Sequence, residues 1–271
     1  MKGIKFEKMH SLGNDFVIID GFEFHISSPP SFARKYLHRN FGIGGDQLLI
    51  LLPSKVADVK MRIFNPDGSE AEMCGNGIRC LVDFALRKGY VSGDEVRVET
   101  LAGIKIVRKV NKHYRVNMGK PSLNPQTLPS NYTGENPAKI RIEEREIELY
   151  LISMGNPHAV TFEALPFEEY AQKIAQKREI FPQGVNVEFA EVCGERELKV
   201  KVWERGAGPT LACGTGACAT AVAGIVSGKV KSPVDVWLPG GKLVVEWSGE
   251  DVVLTGGVER VFEGTLFSEG D

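Results

Sequence analysis

The chain has 271 residues, of which 42% are hydrophobic and 25% are charged, and its formal net charge is −2. This length is enough for one large hydrophobic core or two ordinary ones, and the composition is typical of a globular protein. Because the charge is near zero and includes no basic block, we expect no nucleic-acid partner. We also expect no membrane segment and no signal peptide, and therefore a cytoplasmic location.

Short apolar or alternating runs in the first half of the chain predict a strand-rich domain. The predicted strands are FVIID (16–20), QLLILL (47–52), KMRIF (60–64), VRVET (96–100), IKIVRKV (104–110) and HYRVNMG (113–119). Helical patterns cover 31–39 and 76–88. The second of these ends at Lys88-Gly89, a combination typical of a helix C-terminus.

The second half of the chain shows the same mixture of elements. Its predicted strands are 139–154, 185–192, 197–203, 234–238, 242–247 and 251–256, and its predicted helices are 167–177 and 216–228. The Pro-, Asn- and Ser-rich segment 120–137 predicts a boundary between domains 1–120 and 121–257. Most strands follow one another through short turns, which favours antiparallel sheets.

Two near-identical turns indicate that the two halves are copies of one domain. EMCGNG (72–77) matches LACGTG (211–216), and the longer segment VKMRIFNPDGSEAEMCGNGIRC lies without gaps on LKVKVWERGAGPTLACGTGACA. The alignment pairs polar positions in the two halves: Asn14 with Asn156, Gln47 with Asn186, and Asn65 with Glu204. We therefore predict a duplicated domain, with the matching polar residues facing each other across a cleft.

The five cysteines divide into two groups. Their odd number excludes a simple disulfide scaffold, and no CxxC pair or His/Cys cluster indicates a metal site. Cys80, Cys193 and Cys218 are predicted to be small buried apolar residues. Cys74 and Cys213, in contrast, each open a predicted helix.

The positions of Cys74 and Cys213 predict acid/base chemistry at sulfur. A helix N-terminus lowers the pKa of a thiol, because its dipole and its N–H groups favour the anion. Glycines after each cysteine let backbone N–H groups approach a carboxylate and stabilise the charge formed when its α-proton leaves. One thiolate can then remove the proton and the other thiol can return one, without any cofactor.

Five segments, in order between about residue 8 and residue 264, resemble the diaminopimelate epimerase family: HSLGNDF, GIGGDQ, FNPDGSEAEMCGNGIRC, MGNPH and WERGAGPTLACGTGACA. The resemblance implies a cofactor-independent isomerase that interconverts LL- and meso-diaminopimelate in lysine biosynthesis. It implies an α+β fold of two pseudo-symmetric domains, each a mainly antiparallel barrel-like sheet around a central helix. The last strand, about 258–271, is expected to complete the first domain, and the chain is expected to form a homodimer.

The resemblance also assigns roles to individual residues. Cys74 and Cys213 match the catalytic thiols, and His158 and Glu204 match residues that adjust the pKa of those thiols. Positions matching substrate contacts are Asn14, Gln47, Asn65, Gly75, Asn76, Asn156, Asn186, Glu204, Arg205, Gly214 and Thr215. Arg205 in particular offers a planar fork for a second carboxylate.

Three positions depart from the family pattern. Ile78 stands where the helix commonly carries Ala after CGNG, which is expected to change packing but not chemistry. Ser11 replaces a glycine that commonly precedes the LGNDF sequence, in a loop expected to tolerate the change. Phe262 stands where many members have a tyrosine linked to the dimer contact, so one interface hydrogen bond is expected to be missing.

Other functions are compatible with parts of the pattern. Taken singly, an Asn after Gly is a common turn residue, and Glu204-Arg205 could be a solvated pair at a strand end. A proline or hydroxyproline racemase, or a related dehydratase, shares the two-domain architecture. Its small substrate has only one end to bind, so it would not need Asn65, Asn186 and Arg205 as substrate contacts. A redox sensor would form a disulfide between Cys74 and Cys213, whereas a binding module would need neither thiol. No complete nucleotide-binding motif is present in the sequence.

Overall fold

The computed structural model describes residues 3–267, which form eighteen strands and four α-helices. The strands are β1 (Ile4–Ser11), β2 (Asn14–Asp20), β3 (Gln47–Leu52), β4 (Val59–Phe64), β5 (Glu70–Ala71), β6 (Glu95–Thr100), β7 (Gly103–Val110), β8 (His113–Gly119), β9 (Ala138–Ile142), β10 (Arg145–Ser153), β11 (Pro157–Thr161), β12 (Asn186–Gly194), β13 (Glu197–Glu204), β14 (Gly208–Thr210), β15 (Val234–Leu238), β16 (Gly241–Glu246), β17 (Val252–Gly257) and β18 (Glu259–Leu266). The helices are α1 (Pro29–Tyr36), α2 (Gly75–Lys88), α3 (Phe167–Ala175) and α4 (Gly214–Val226), and a 3₁₀ turn covers Pro125–Thr127.

The described part of the first compact unit comprises residues 3–116 and 256–267. Strand β1 pairs antiparallel with both β18 and β2, and β2 then pairs parallel with β3. The order continues through β4, which is antiparallel to β3 and to β5 and parallel to β6, and then through β7. Helix α2 lies against β1, β2, β3 and β7, and its first eight residues are all buried.

The second unit comprises residues 117–255 and has the same pairing order. Strand β10 is antiparallel to β9 and β11, β11 is parallel to β12, and β12 is antiparallel to β13. Strand β13 pairs antiparallel with β14 and parallel with β15, which leads to β16 and β17. Helix α4 is apolar on all sides and contacts β10, β11, β12, β13, β15 and β16, so it occupies the core of this unit.

The α+β class predicted from the sequence is confirmed, and so are the four helices, with ends shifted by a few residues. The αL residue Gly89 ends α2, as the Lys-Gly pattern predicted. The pairs named above are mainly antiparallel, as predicted, and four of them are parallel. Helices α1 and α3 lie within the connections β2–β3 and β11–β12, and a parallel pair requires such long crossovers.

Three local predictions need correction. The predicted strand 139–154 is a hairpin, since Glu143 adopts a positive φ of 54° between β9 and β10. Strands β1 and β11 were not predicted at all. Cys193 is exposed rather than buried, because it lies where the β12–β13 register shifts near the hairpin turn. Cys80 and Cys218 are fully buried as predicted.

Across residues 3–267, no helix has both the length and the apolar character needed to cross a bilayer.

Candidate functional site

Cys74 and Cys213 occupy the same structural position in the two units. Each is the extended N-cap residue of a helix, with φ/ψ of −140°/115° for Cys74 and −125°/114° for Cys213. The Gly77 N–H donates to Cys74 Sγ at 3.4 Å, and the Gly216 N–H donates to Cys213 Sγ at 3.3 Å. Each sulfur therefore replaces the oxygen that usually caps a helix, and it lies at the positive end of the helix dipole.

The first helical residue of each helix is a glycine, Gly75 in α2 and Gly214 in α4, and both are buried. Backbone N–H groups in the first turn of a helix have no partner within the helix. Such groups bind anions, so each helix start has the chemistry needed to hold a carboxylate beside the sulfur.

Asn14 connects Cys74 to Asn76, and we call these three residues the Cys74 cluster. Asn14 Oδ1 accepts a hydrogen bond from Asn76 Nδ2 at 3.2 Å and lies 3.8 Å from Cys74 Sγ. Its Nδ2 donates to Asp46 Oδ2 at 2.9 Å. Because a carboxylate only accepts hydrogen bonds, Asp46 fixes the amide so that its oxygen faces the sulfur.

A charged network holds the Asp46 carboxylate in place. Arg39 bridges Asp46 and Asp15 at 2.7 and 2.8 Å, and Lys8 lies 2.5 Å from Asp15. Burial acts to raise the pKa of Asp15, but the hydrogen bonds and charges of Arg39 and Lys8 outweigh it and hold that pKa well below its ordinary range.

Two further groups of polar contacts lie in the first unit. Gln47 Nε2 donates to Asn65 Oδ1 at 2.9 Å, and Asn65 Nδ2 donates to the Ser69 hydroxyl. The fully buried Arg79 donates through Nη2 to Asn76 Oδ1 at 2.8 Å and to Ser11 Oγ at 2.6 Å.

Ser11 thus has a structural role that the sequence did not predict. Its hydroxyl donates to the Gly257 carbonyl at 2.8 Å while it accepts from Arg79. The serine that departs from the family pattern helps to hold the guanidinium that orients Asn76.

A chain of hydrogen bonds reaches Cys213 from the interior of the second unit. Thr215 Oγ1 lies 3.4 Å from Cys213 Sγ and accepts from Asn156 Nδ2 at 3.2 Å. Asn156 Oδ1 lies 3.0 Å from His158 Nε2, and His158 Nδ1 lies 2.7 Å from Glu188 Oε1. The His158 and Glu188 side chains are both fully buried.

The remaining predicted residues of the second unit lie at the ends of β12 and β13. Asn186 donates to the Pro157 carbonyl at 3.0 Å and accepts from the Arg205 backbone N–H at 2.9 Å. Glu204 Oε1 accepts from the Thr210 hydroxyl at 2.6 Å, and the Arg205 side chain is exposed. We call Asn156, His158, Asn186, Glu204, Cys213 and Thr215 the Cys213 cluster.

The sequence-based expectation of a lowered thiol pKa is wrong for Cys213. Burial raises the pKa of this thiol well above its ordinary value, and the charges of Glu204 and Glu188 raise it further. The hydrogen bonds from Thr215 and from the Gly216 N–H act in the opposite direction but are outweighed. The thiol form of Cys213 is therefore favoured at neutral pH.

Contacts join Cys74, Asn14 and Asn76 in the first unit. In the second unit they join Cys213, Thr215, Asn156 and His158. Sequence reasoning missed Asp46, Arg79 and Glu188. Asp46 stands next to Gln47 in the GIGGDQ segment, and Glu188 follows Asn186 by two residues, so it points to the same face of β12. Among the residues that the structure describes, no group of three or more His, Cys, Asp or Glu side chains could hold a metal ion.

Comparison with known proteins gives the same family by two routes, a family sequence model and individual relatives. The sequence model of the family described as diaminopimelate epimerase matches residues 6–124 and 150–261. A diaminopimelate epimerase of Desulfitobacterium hafniense is 48% identical over 278 residues, covering 97% of this chain and 98% of that protein. One from Methanococcus maripaludis is 42% identical over 277 residues, covering 97% and 99%.

Solved structures with the same fold have more distant sequences. A hydroxyproline epimerase from Agrobacterium vitis superposes with a TM-score of 0.68 at 17% identity, covering 97% of this chain and 93% of that one. A phenazine biosynthesis protein of the PhzF family from Bacillus anthracis has a TM-score of 0.69 at 16% identity, covering 99% and 100%. At this identity the likeness concerns the fold alone.

Proposed function

This chain belongs to the diaminopimelate epimerase family, and we propose that it inverts one α-carbon of diaminopimelate by proton exchange with two cysteine sulfurs. The reaction interconverts LL- and meso-diaminopimelate, so the protein is an isomerase. The observation that carries the proposal is the pair of cysteines, each at the N-cap of a helix that starts with glycine.

The proposed reaction balances without any co-reactant. One sulfur, as thiolate, takes the α-proton and becomes a thiol, which leaves a carbanion delocalised into the carboxylate. The other sulfur, as thiol, gives a proton to the opposite face and becomes a thiolate. The raised pKa of Cys213 supports its role as the proton donor of the resting enzyme.

We propose that the two helix starts stabilise the negative charge on the reacting carboxylate. Gly75 and Asn76 in α2, and Gly214 and Thr215 in α4, provide backbone N–H groups of the first helical turn. Donors that are fixed before the reaction cost no reorganisation when charge develops, which is why such contacts are effective in catalysis.

The distal end of diaminopimelate carries a second carboxylate, for which we propose Arg205. Its backbone N–H is fixed by Asn186 at 2.9 Å, while its guanidinium remains exposed and able to bind a carboxylate with two parallel hydrogen bonds. Arg205→Ala should therefore weaken binding of diaminopimelate more than binding of alanine, measured as competitive inhibition constants. An unchanged ratio of the two constants would remove Arg205 from this role.

The two-base mechanism is tested with LL-diaminopimelate in deuterium oxide. Early in the reaction the product should carry deuterium at the inverted carbon while recovered substrate remains unlabelled, because removal and return use different sulfurs. Cys74→Ser and Cys213→Ser should each slow epimerisation by about 10²- to 10⁴-fold, the usual contribution of a general acid or base. Cys193→Ser is the matched control, since this cysteine is exposed and lies outside both clusters.

Two results would contradict this mechanism. Equal labelling of substrate and product from the start would indicate one base rather than two. Near-wild-type activity in either serine variant would show that its cysteine does not transfer the proton. Hydroxyproline should be tested beside diaminopimelate, because a hydroxyproline epimerase shares the fold; its turnover in place of diaminopimelate would point to the racemase alternative.

We also propose a homodimer that uses strand β18. Side chains along this strand are exposed on both faces, and Val261 and Phe262 have 53% and 47% of their surface accessible. Adjacent exposed apolar side chains mark interaction surfaces. Light scattering should give twice the chain mass for the wild type and for Val192→Asp, an exposed apolar control, but the monomer mass for Phe262→Asp. A dimeric Phe262→Asp protein would place the interface elsewhere.

The proposed physiological setting is lysine biosynthesis in the cytoplasm. The chemistry requires thiols, which a reducing compartment maintains. Loss of the gene should create a lysine requirement that wild-type protein corrects and a Cys74→Ser/Cys213→Ser protein does not. Growth without lysine after such a loss would place the protein outside that pathway.

A further inference from the structure

The two cysteines have different surroundings at positions that are structurally equivalent. Phe16 aligns with Gln47 in the parallel pair β2–β3, and His158 aligns with Asn186 in the parallel pair β11–β12. Because Gln47 and Asn186 are equivalent in the repeat, Phe16 corresponds to His158. Two residues further along the second strand of each pair, Leu49 corresponds to Glu188.

The glycine in the first turn of each helix confirms this correspondence in space. A β-carbon added to Gly77 would lie 3.2 Å from the Phe16 ring and 3.3 Å from the Leu49 methyl groups. A β-carbon added to Gly216 would lie 2.7 Å from Glu188 Oε1 and 3.3 Å from Cys213 Sγ. The start of α2 thus packs on two apolar side chains, whereas the start of α4 packs on the carboxylate of a His–Glu pair.

Burying the His158–Glu188 pair costs more free energy than burying an apolar contact at the same place. Both side chains are fully buried, and the desolvation of two charges can exceed their mutual attraction. Within residues 3–267, moreover, no donor reaches Glu188 Oε2. The first unit fills the equivalent positions with the apolar residues Phe16 and Leu49. The need to fill space under the helix therefore does not explain why His158 and Glu188 lie here.

The hydrogen-bond directions connect this pair to the Cys213 sulfur. His158 has an oxygen within hydrogen-bond distance of each ring nitrogen, Glu188 Oε1 at Nδ1 and Asn156 Oδ1 at Nε2, and a doubly protonated ring would donate to both. The Asn156 amide then directs its NH₂ group to Thr215 Oγ1. The Thr215 hydroxyl, which accepts that bond, can then donate its own proton to Cys213 Sγ, 3.4 Å away.

A neutral His158 reverses every bond in this chain. With a proton on Nδ1 only, Nε2 accepts from the Asn156 NH₂ group, Asn156 Oδ1 accepts from the Thr215 hydroxyl, and Thr215 accepts from the Cys213 thiol. With a doubly protonated ring, the sulfur receives a hydrogen bond from Thr215 whether it is a thiol or a thiolate. With a neutral ring, the sulfur must be a thiol, because it donates the hydrogen bond to Thr215.

We propose that Glu188 is a positioning residue for Cys213: by holding His158 as an imidazolium, it turns the Asn156 amide and the Thr215 hydroxyl so that the sulfur receives a hydrogen bond. This proposal rests on the proposed function, in which Cys213 must become a thiolate in each catalytic cycle. It gives Cys213, which is buried and faces the charges of Glu188 from β12 and Glu204 from β13, a compensating interaction.

Glu188 also acts on the sulfur directly, and the two effects have opposite signs. Its negative charge alone disfavours a thiolate at Cys213. In the ion pair this charge is offset by the imidazolium, and in Glu188→Gln both partners are neutral, so the net charge near the sulfur is similar in the two proteins. The difference that remains is the direction of the hydrogen bond at the sulfur, which we therefore expect to dominate.

The test compares alkylation of the two cysteines in one protein. Wild type, Glu188→Gln and Glu7→Gln are treated with iodoacetamide from pH 6 to 10, and the modified peptides are quantified by mass spectrometry. Glu7→Gln is the matched control, since Glu7 is also a buried, ion-paired carboxylate but belongs to the first unit. In Glu188→Gln we expect Cys213 to react about tenfold more slowly at neutral pH, the effect of losing one favourable charged partner, with Cys74 unchanged.

Two additional measurements keep the outcome decisive. In ¹⁵N spectra of histidine-labelled protein, the His158 signals should show two protonated nitrogens in wild type and one in Glu188→Gln. The double variant His158→Phe/Glu188→Leu copies the apolar pair of the first unit, so it should fold even if Glu188→Gln does not, and it should show the same slow alkylation of Cys213.

The results that overturn the proposal are specific. An unchanged ratio of Cys213 to Cys74 alkylation in the folded variants would show that Glu188 does not act on the sulfur. Faster alkylation of Cys213 in Glu188→Gln would show that repulsion dominates. Neither readout uses diaminopimelate, so a failure of the proposed function, seen in the epimerisation assay, is distinguishable from a failure of this inference.

Discussion

Gly216 and Gly77 offer a matched pair of substitutions that measures how closely each helix start packs. Both are the third residue after the N-cap of their helix, and each N–H bonds to the cysteine sulfur. Alanine favours a helix interior over glycine by up to about 1 kcal/mol. Without close neighbours, both substitutions would therefore be neutral or stabilising.

The neighbours make the two positions different. At Gly216 the new methyl group would lie 2.7 Å from Glu188 Oε1, closer than carbon and oxygen pack, so the carboxylate must move by several tenths of an ångström. Glu188 is fully buried and bonded to His158 at 2.7 Å, so it has no free space to move into. Overpacking of this kind costs about 1–3 kcal/mol, and weakening a hydrogen bond to a charged group adds to it.

At Gly77 the same methyl group would meet carbon atoms of Phe16 and Leu49 at 3.2–3.3 Å. A leucine side chain can yield by the small amount required, and the gain in helix propensity offsets the cost. We therefore expect Gly216→Ala to lower the free energy of unfolding by about 1–3 kcal/mol, and Gly77→Ala to change it by less than about 1 kcal/mol.

Urea unfolding followed by circular dichroism and by tryptophan fluorescence measures both variants. The three tryptophans, at 203, 237 and 247, lie in the unit that contains Gly216, so fluorescence reports on that unit. Gly216→Ala should also slow epimerisation more than Gly77→Ala does. Equal stability of the two variants, or a more stable Gly216→Ala, would refute the argument that Glu188 is held against the start of α4.

Three other predictions concern the first unit. Ser11→Gly removes an acceptor from the buried Arg79 and should lower the free energy of unfolding by about 1.5–3 kcal/mol; an unchanged value would show that this hydroxyl is dispensable. The depressed pKa of Asp15 means that its interaction with Arg39 contributes stability above the ordinary value of 3.8, lost as the pH falls through the folded-state pKa. In Asp15→Asn the free energy of unfolding should therefore fall less steeply with decreasing pH than in wild type. An unchanged slope at acid pH would contradict this. Burial and then the Asp20 hydrogen bond raise the pKa of Tyr90 to about 12, so stability present below pH 10 should fall between about 10 and 12 in wild type and less steeply in Tyr90→Phe; identical slopes would count against it.

The elements that the sequence predicted best are those fixed by local rules. The Cys-Gly-x-Gly turns predicted two helix starts, because a cysteine can cap a helix and glycine tolerates close packing. The alternating and continuous apolar runs predicted most strands, including β3 at its observed bounds. These signals depend only on neighbours in the chain.

The elements that the sequence missed depend on contacts distant in the chain. Strand β1 buries Glu7 and Lys8, whose charges hide the apolar pattern and are compensated by Arg87 and Asp15. Strand β11 begins at Pro157, so its first residues resembled a turn. The parallel pairs were missed for a similar reason, since nothing local records which strand a crossover returns to.

Within the candidate site, the residues that contact the sulfurs were easier to predict than those that orient them. The cysteines and their asparagines belong to motifs, whereas Asp46 and Glu188 are single acidic residues whose effect depends on geometry. Glu188 lies in an alternating strand, where a charged residue is commonly solvent-facing. Glu188 points inward because it shares a strand face with Asn186. This relation predicts the inward direction only when that face is known to lie under α4.

The duplication explains why the two cysteines share a backbone setting but differ in their side-chain surroundings. Holding a carboxylate requires N–H groups in a fixed direction, and this depends on the helix start, so both units keep the N-cap cysteine and the glycines. The proton affinity of a sulfur depends instead on nearby charges and hydrogen bonds, which single substitutions in the underlying strands can change. Phe16 and Leu49 in one unit, and His158 and Glu188 in the other, are substitutions of this kind. In the reaction that we propose, one sulfur acts as a base while the other acts as an acid, and two sulfurs of unequal proton affinity can hold these two protonation states at the same pH.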